Sequence, residues 1–178
     1  SRAAELLIKA KNPVIMAGRG NRSMAAWNNR VKLAELLGAA VVTDLHNASV
    51  FPTDHALHVG RPAGRLVGEA QQAVIDADVV LSLNWLDLGG TFRLLKRAAD
   101  LNSKIIHATL DQYLHYGWGM EQFELPAADV PADADADAFC AQLVAAVDAG
   151  LNGKSRWDGK RKASEPKAEK KISERGAD

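Results

Sequence analysis

Cysteine is almost missing from this chain. Cys140 is the single one among 178 residues, so no disulfide can close within it, and a reducing, cytoplasmic setting is expected. Net charge is missing too. Twenty-two Lys and Arg offset 22 Asp and Glu, so overall charge gives no case for a nucleic acid or a membrane as partner. No apolar run approaches the ~20 residues of a membrane-spanning helix. No Ser stands in a G-x-S-x-G elbow, and no base–nucleophile pair is legible, so no catalytic residue is assigned.

What remains is the composition of an ordinary globular protein, with 47% hydrophobic and 25% charged residues. The length suits one domain with a sizeable core. The charge is unevenly spread. From Lys154 onward nine Lys/Arg face five Asp/Glu, or +4, which leaves −4 on the rest. Residues 1–150 therefore read as one α/β domain, and 151–178 as a charged linker or tail with too little apolar surface to offset its ordering entropy. The chain opens at Ser1 in mid-helix pattern, as expected of a piece of something longer.

The organising stretch is NPVIMAGRGNR, residues 12–22. Four apolar residues bounded by turn formers predict a strand buried on both faces. Gly18 and Gly20 then permit a tight turn and a close backbone approach. Ser23 is the expected N-cap of the following helix, and Gly38 its C-cap. Strand, glycine turn and helix is how a doubly wound sheet begins.

The same rhythm continues. Residues 39–43, 78–83 and 104–108 predict buried parallel strands, and 127–130 a short last one. Helices are expected over 67–77, 91–101 and 135–149. Residues 48–65, 84–90 and 109–125 read as loops, the last rich in Tyr, His, Trp and Gly, and some helix is expected in 165–175.

Several features could carry chemistry, each beside a plainer reading. The Gly18–Gly20 turn, with Arg19 or Arg22 adding charge, could cradle a pyrophosphate, or could be a bare βα turn, since Ser23 stands at the third glycine of G-x-G-x-x-G. Asp44 could hold a ribose or simply cap a loop. His46, His55 and His58 match no metal pattern, and no metal site is assigned. The acidic run Asp129, Asp133, Asp135 and Asp137 lacks the glycine and glutamate of a calcium loop and reads as solvated helix-start acids. Cys140 reads as a buried, inert thiol. Trp85, Tyr116 and Trp118 could stack on a ligand ring or pack loops.

Four segments, in order, carry a resemblance. These are RAAELLIKAKNPVIMAGRG, VVTDLHNASVFPTDHALHVGRPAG, ADVVLSLNWLDLGGTF and KIIHATLDQYLHYGWGM. Together they resemble the central domain of thiamine diphosphate-dependent enzymes of the acetolactate synthase and benzoylformate decarboxylase type, over residues 1–150. The resemblance implies a three-layer α/β/α fold around a six-stranded parallel Rossmann-like sheet. It implies a non-catalytic domain of a 2-oxo acid decarboxylase or carboligase, a lyase or transferase. There thiamine diphosphate and Mg2+ are held by flanking pyrimidine and pyrophosphate domains, which are this domain's partners, and the parent is a homo-oligomer. It also implies a vestigial FAD or ADP site at Gly18, Arg19, Gly20 and Asn21 on the first turn, Gly60 and Gly64 in the second loop, Asn84 and Trp85 after the third strand, and Asp111 after the fourth. The chain departs from the family with Asn84 at a usual glycine, with Arg61-Pro62-Ala63-Gly64 in the second loop, and with no proline after Asp111. From the residues alone, a free-standing nicotinamide- or flavin-nucleotide-binding domain of Rossmann type is the alternative.

Overall fold

The computed structural model describes residues 1–96, 101–111 and 126–160. The predicted loop tip with Tyr116 and Trp118 and the predicted helix in 165–175 lie outside the described residues. Helices and strands alternate as α1 (Arg2–Lys9), β1 (Pro13–Ala17), α2 (Met24–Leu37), β2 (Ala40–Thr43), α3 (Gly68–Ile75), β3 (Val79–Leu83), α4 (Leu88–Lys96), β4 (Lys104–Thr109), β5 (Val130–Asp133) and α5 (Ala136–Gly150). Every strand pair is parallel, and the sheet order is β2-β1-β3-β4-β5.

The sheet is buried on both faces because its inner strands are apolar at nearly every position. All residues of β1, β2 and β3 are buried. Ile15, Val41, Leu81 and Ile106 point into one core with α1, α2 and α5, and Val14, Met16, Val42 and Val80 into a second with α3 and α4. The period-2 alternation of a strand divides one continuous apolar run between two layers.

The chain confirms the α/β architecture and corrects its details. Five strands, not six, form the sheet among the described residues. Beside β2 the chain makes two isolated bridges, Val41–His58, with Val41 N donating to Leu57 O (2.8 Å) and Val59 N to Val41 O (2.9 Å), and Asp44–Ala63 just past the strand end. The turn-rich 48–65 segment cannot extend that ladder. The last strand is Val130–Asp133 rather than 127–130. Asp129 is turned to the neighbouring strand, where its carboxylate accepts from Ile105 N and Lys104 Nζ, both at 2.9 Å. Pro131 is tolerated because β5 is an edge strand. Helix α4 starts at Leu88, inside the predicted 84–90 loop. Asp87, at φ 51°, starts it by accepting from Gly90 N (3.1 Å). Ser23 and Gly38 cap α2 as expected, with Gly38 left-handed at φ 57°.

Candidate functional site at the carboxyl ends of the strands

The order β2-β1-β3 makes the chain leave β1 toward one edge and return on the other side for β3. Such a reversal opens a crevice between the carboxyl ends of β1 and β3. The first glycine turn and Asn84 lie there. Gly18 N donates to Leu83 O (2.9 Å) and Arg19 N to Asn84 O (3.0 Å), so the ladder runs past the strand ends into the turn. A Cβ on Gly18 would overlap the Asn84 carbonyl. Asn84 itself is left-handed at φ 53°, a conformation Asn accepts more readily than most residues.

Asn84 is the hub of the β3–β4 side. Its Oδ1 accepts from Arg19 Nη2 (2.8 Å) and Thr109 Oγ1 (3.0 Å). The Arg19 guanidinium also pairs with Asp111, whose amide donates to Thr109 Oγ1 (3.0 Å). Arg19, Asn84 and Asp111, three predicted site residues, thus meet at one rim. The Arg19–Asp111 pair is about half exposed, with side chains 40% and 51% accessible, so it holds the rim with at most about 1 kcal/mol. Arg19 Nε is buried without an acceptor.

The other side of the turn is closed by Arg30, which was not singled out from the sequence, and by Asp137, which reads there as a solvated helix-start acid. Arg30, on α2, is 3% exposed. Its Nε donates to Val50 O (2.6 Å) and its Nη2 to Asn21 O (2.9 Å), while Nη1 pairs with Asp137. Asp137 Oδ2 accepts the amide of Asn21 at 2.5 Å. Ser23 N donates to Asn21 Oδ1 (2.7 Å), and Ala26 N to Ser23 Oγ (3.3 Å). The amides of residues 18, 19, 21, 23 and 26 therefore all have internal acceptors. The anion at this glycine turn is the chain's own Asp137 carboxylate. A signal for it existed, since Arg30 follows Trp27 by three and precedes Ala34 by four, which puts a cation on the apolar stripe of α2. Its acidic partner, in the first turn of α5, could not be chosen from four nearby Asp residues.

The remaining predicted residues are dispersed. Gly60 is left-handed (φ 72°) against Ala70, and Gly64 lies beside the His46 ring. Asp44 is buried, and its Oδ1 accepts both His46 N (2.8 Å) and His46 Nδ1 (2.7 Å). Trp85 is 6% exposed in the α3–α4 core, with Nε1 donating to Thr91 Oγ1 (3.1 Å). Its ring packs within that core. His46, His55 and His58 each have separate partners: Asp44, Glu35 and Thr43. Among the described residues no group of three or more His, Cys, Asp or Glu could hold a metal.

Beyond β4 a cavity of about 280 Å³ is lined by His107, Thr109, Asp111, Pro131 and Asp133 among others. His107 is buried, with Nδ1 2.9 Å from Ser82 Oγ. Burial pushes its pKa below 6.5, partly countered by Asp111. Ser82 is 0% exposed, so its hydroxyl is spent in a core hydrogen bond with His107. Cys140 is buried as expected, its pKa pushed up to about 12 by burial. Among the described residues no helix is long and apolar enough to cross a membrane.

Comparison with known proteins agrees with this architecture. Residues 1–117 match the family model described as the thiamine pyrophosphate enzyme central domain. A probable acetolactate synthase large subunit of Methanocaldococcus jannaschii is 30% identical over 160 residues, covering 88% of this chain and 25% of that protein. An acetolactate synthase of Mycobacterium avium is 32% identical over 142 residues, covering 79% of this chain and 21% of that protein. A sulfoacetaldehyde acetyltransferase of Castellaniella defragrans is 45% identical over 82 residues, covering 46% and 14%. A solved structure described as a thiamin diphosphate-dependent enzyme from Mycobacterium smegmatis superposes with a TM-score of 0.54 at 21% identity, covering 83% of this chain and 27% of that one, a likeness of fold. The chain spans about a quarter or less of the length of these relatives. With the family model spanning well over half of its residues, and with the parallel sheet and its carboxyl-end crevice in place, this chain belongs to the central-domain family of thiamine pyrophosphate enzymes.

Proposed function

We propose that this chain is the non-catalytic middle domain of a thiamine diphosphate-dependent 2-oxo acid decarboxylase or carboligase of the acetolactate synthase kind, and that its work is to hold and space the domains that do the chemistry. The observation that carries this reading is the closed glycine turn. A pyrophosphate needs free amides and an unspent cation. Here the amides of residues 18, 19 and 21 have internal acceptors, Arg19 is paired with Asp111, and Arg30 with Asp137. Arg19 Nε is buried without an acceptor and Arg22 is exposed, but with the amides of 18, 19 and 21 spent these cations have no cradle of N–H groups behind them to hold a diphosphate. The residues present do not fit FAD or ADP, and the site is vestigial.

In this reading thiamine diphosphate and Mg2+ belong to flanking pyrimidine and pyrophosphate domains of a longer, homo-oligomeric cytoplasmic enzyme. The relatives' greater length supports that division. The cofactor supplies the nucleophilic carbon of the reaction. No residue described here is assigned a part in that step. A free-standing nicotinamide domain is disfavoured, because Asp44 is buried and its Oδ1 is committed to His46.

Calorimetric titration of the purified chain with FAD, ADP, coenzyme A and NAD tests the reading. Each is expected to give no saturable heat in the micromolar range. Micromolar binding of FAD or ADP would show a working crevice and overturn the scaffold assignment. A coding sequence with neither flanking cofactor domain would sink the parent-enzyme reading.

A further inference from the structure

We infer that Ser155, Arg156 and Trp157 form a clamp that closes the carboxyl ends of α1 and α2 together. The folding unit then runs past residue 150 to include at least Trp157.

Helices end with unsatisfied carbonyls, which need a local glycine motif, water or a side chain. In α1 the cap residue Ala10 is extended and no glycine follows. Its loose carbonyls are answered from far along the chain. Arg156 Nη2 donates to Ala10 O (2.6 Å), with Nη1 3.3 Å from Ile8 O and 3.4 Å from Leu7 O. A guanidinium suits this because its planar fork reaches several acceptors at once, and because a cation is favoured at a helix carboxyl end.

The neighbouring residues do the same for α2. Ser155 Oγ donates to Glu35 O (2.6 Å), Arg156 N to Leu36 O (2.9 Å) and Trp157 N to Glu35 O (3.3 Å). Gly38, the left-handed cap of α2, leaves room for this. A Cβ there would lie 3.2 Å from Arg156 O and 3.4 Å from Trp157 N. Trp157 completes the clamp. Its ring lies against the His55 ring (centroids 5.0 Å apart), and Nε1 donates to Lys160 O (2.9 Å). His55 is itself fixed, since Nδ1 accepts Leu57 N (3.1 Å) and Nε2 faces Glu35 Oε1 (3.2 Å). Three residues of a segment that reads as polar linker thus join α1, α2 and the loop that edges β2. The groove beside them, about 400 Å³ and lined by Lys11, Gly38, Arg156 and Lys160 among others, sits at two helix carboxyl ends. We read it as the seam of the clamp.

Hydrogen–deuterium exchange on the full chain tests this. The amides of Arg156 and Trp157, bonded to Leu36 and Glu35 carbonyls, are expected to be protected in the unaltered protein. Arg156→Ala and Trp157→Ala should each speed their exchange by about tenfold or more while Val80 and Leu81 in β3 keep their protection, as for local opening. Unprotected amides at 156 and 157 in the unaltered chain would overturn the clamp. So would Arg156→Ala and Trp157→Ala variants whose exchange there matches the unaltered chain. Either result would leave the calorimetric test of the scaffold reading untouched.

Discussion

Arg30 and Asp137 stand 107 positions apart and meet as a partly buried ion pair beside the first glycine turn. The pair joins α2 to α5 and, through the Asn21 amide and carbonyl, fixes the backbone that follows Gly20. A Cβ on Gly20 would come within 2.8 Å of the Arg30 guanidinium, so the turn is shaped around the pair.

Removing one partner should be costly. Asp137→Ala leaves the Arg30 charge buried at 3% exposure, and breaking a buried pair this way costs about 3–5 kcal/mol. The double variant Arg30→Met with Asp137→Leu should lose less than Asp137→Ala alone, because no uncompensated charge remains. Urea denaturation measures both. A loss under about 1 kcal/mol for Asp137→Ala would mean that water already shares the pair.

Gly18 should tolerate no side chain. Gly18→Ala drives a methyl into the Asn84 carbonyl, and overpacking of this sort costs about 1–3 kcal/mol. The expected result is a lowered melting temperature. Unchanged melting would show that β1 and β3 separate at their ends without penalty.

Trp85 separates packing from ligand stacking. In the α3–α4 core, Trp85→Ala should destabilise the chain by about 3–5 kcal/mol, as large-to-small core changes do. Equilibrium unfolding reads this directly. A near-neutral outcome would return Trp85 to the candidate ligand residues.

His107 should make the fold acid-sensitive below neutrality. Burial lowers its folded pKa from 6.5, while the unfolded chain keeps the ordinary value. Above pH 6.5 the imidazole is neutral in both states and costs nothing. As pH falls below 6.5 the unfolded chain takes up a proton that the folded one refuses, so stability drops until the folded pKa is passed. Melting at pH 7.5 and at 5.5 should differ, and His107→Gln should narrow the gap. An equal gap in the variant would assign the acid sensitivity to other groups.

Cys140 should be silent in the folded protein. With its pKa pushed up to about 12 by burial, almost no thiolate exists at pH 8, and the thiolate is the reactive form. A thiol reagent should label it only after denaturant is added. Rapid native labelling would mean that α5 detaches readily.

Much of this protein was legible in its residues because it rests on local rules. Apolar runs marked β1 to β4, Ser23 and Gly38 marked the ends of α2, and the buried character of Cys140 followed from its helical neighbours. These signals need only periodicity and cap chemistry within a few residues. Strand β5 was misplaced by three positions because Asp129 and Pro131 are set by pairing with β4, which no local pattern reports.

Sequence alone determined the α/β class, the strand–glycine-turn–helix opening and the family resemblance, since each is written in short contiguous stretches. Tertiary structure decided the strand order that opens the crevice, the union of Arg30 with Asp137 that closes it, the retreat of Trp85 into the core, and the attachment of Arg156 to the end of α1. Each of these joins groups tens of residues or more apart. Which distant partner a polar side chain meets depends on burial and geometry that exist only once both layers of helices have packed on the sheet.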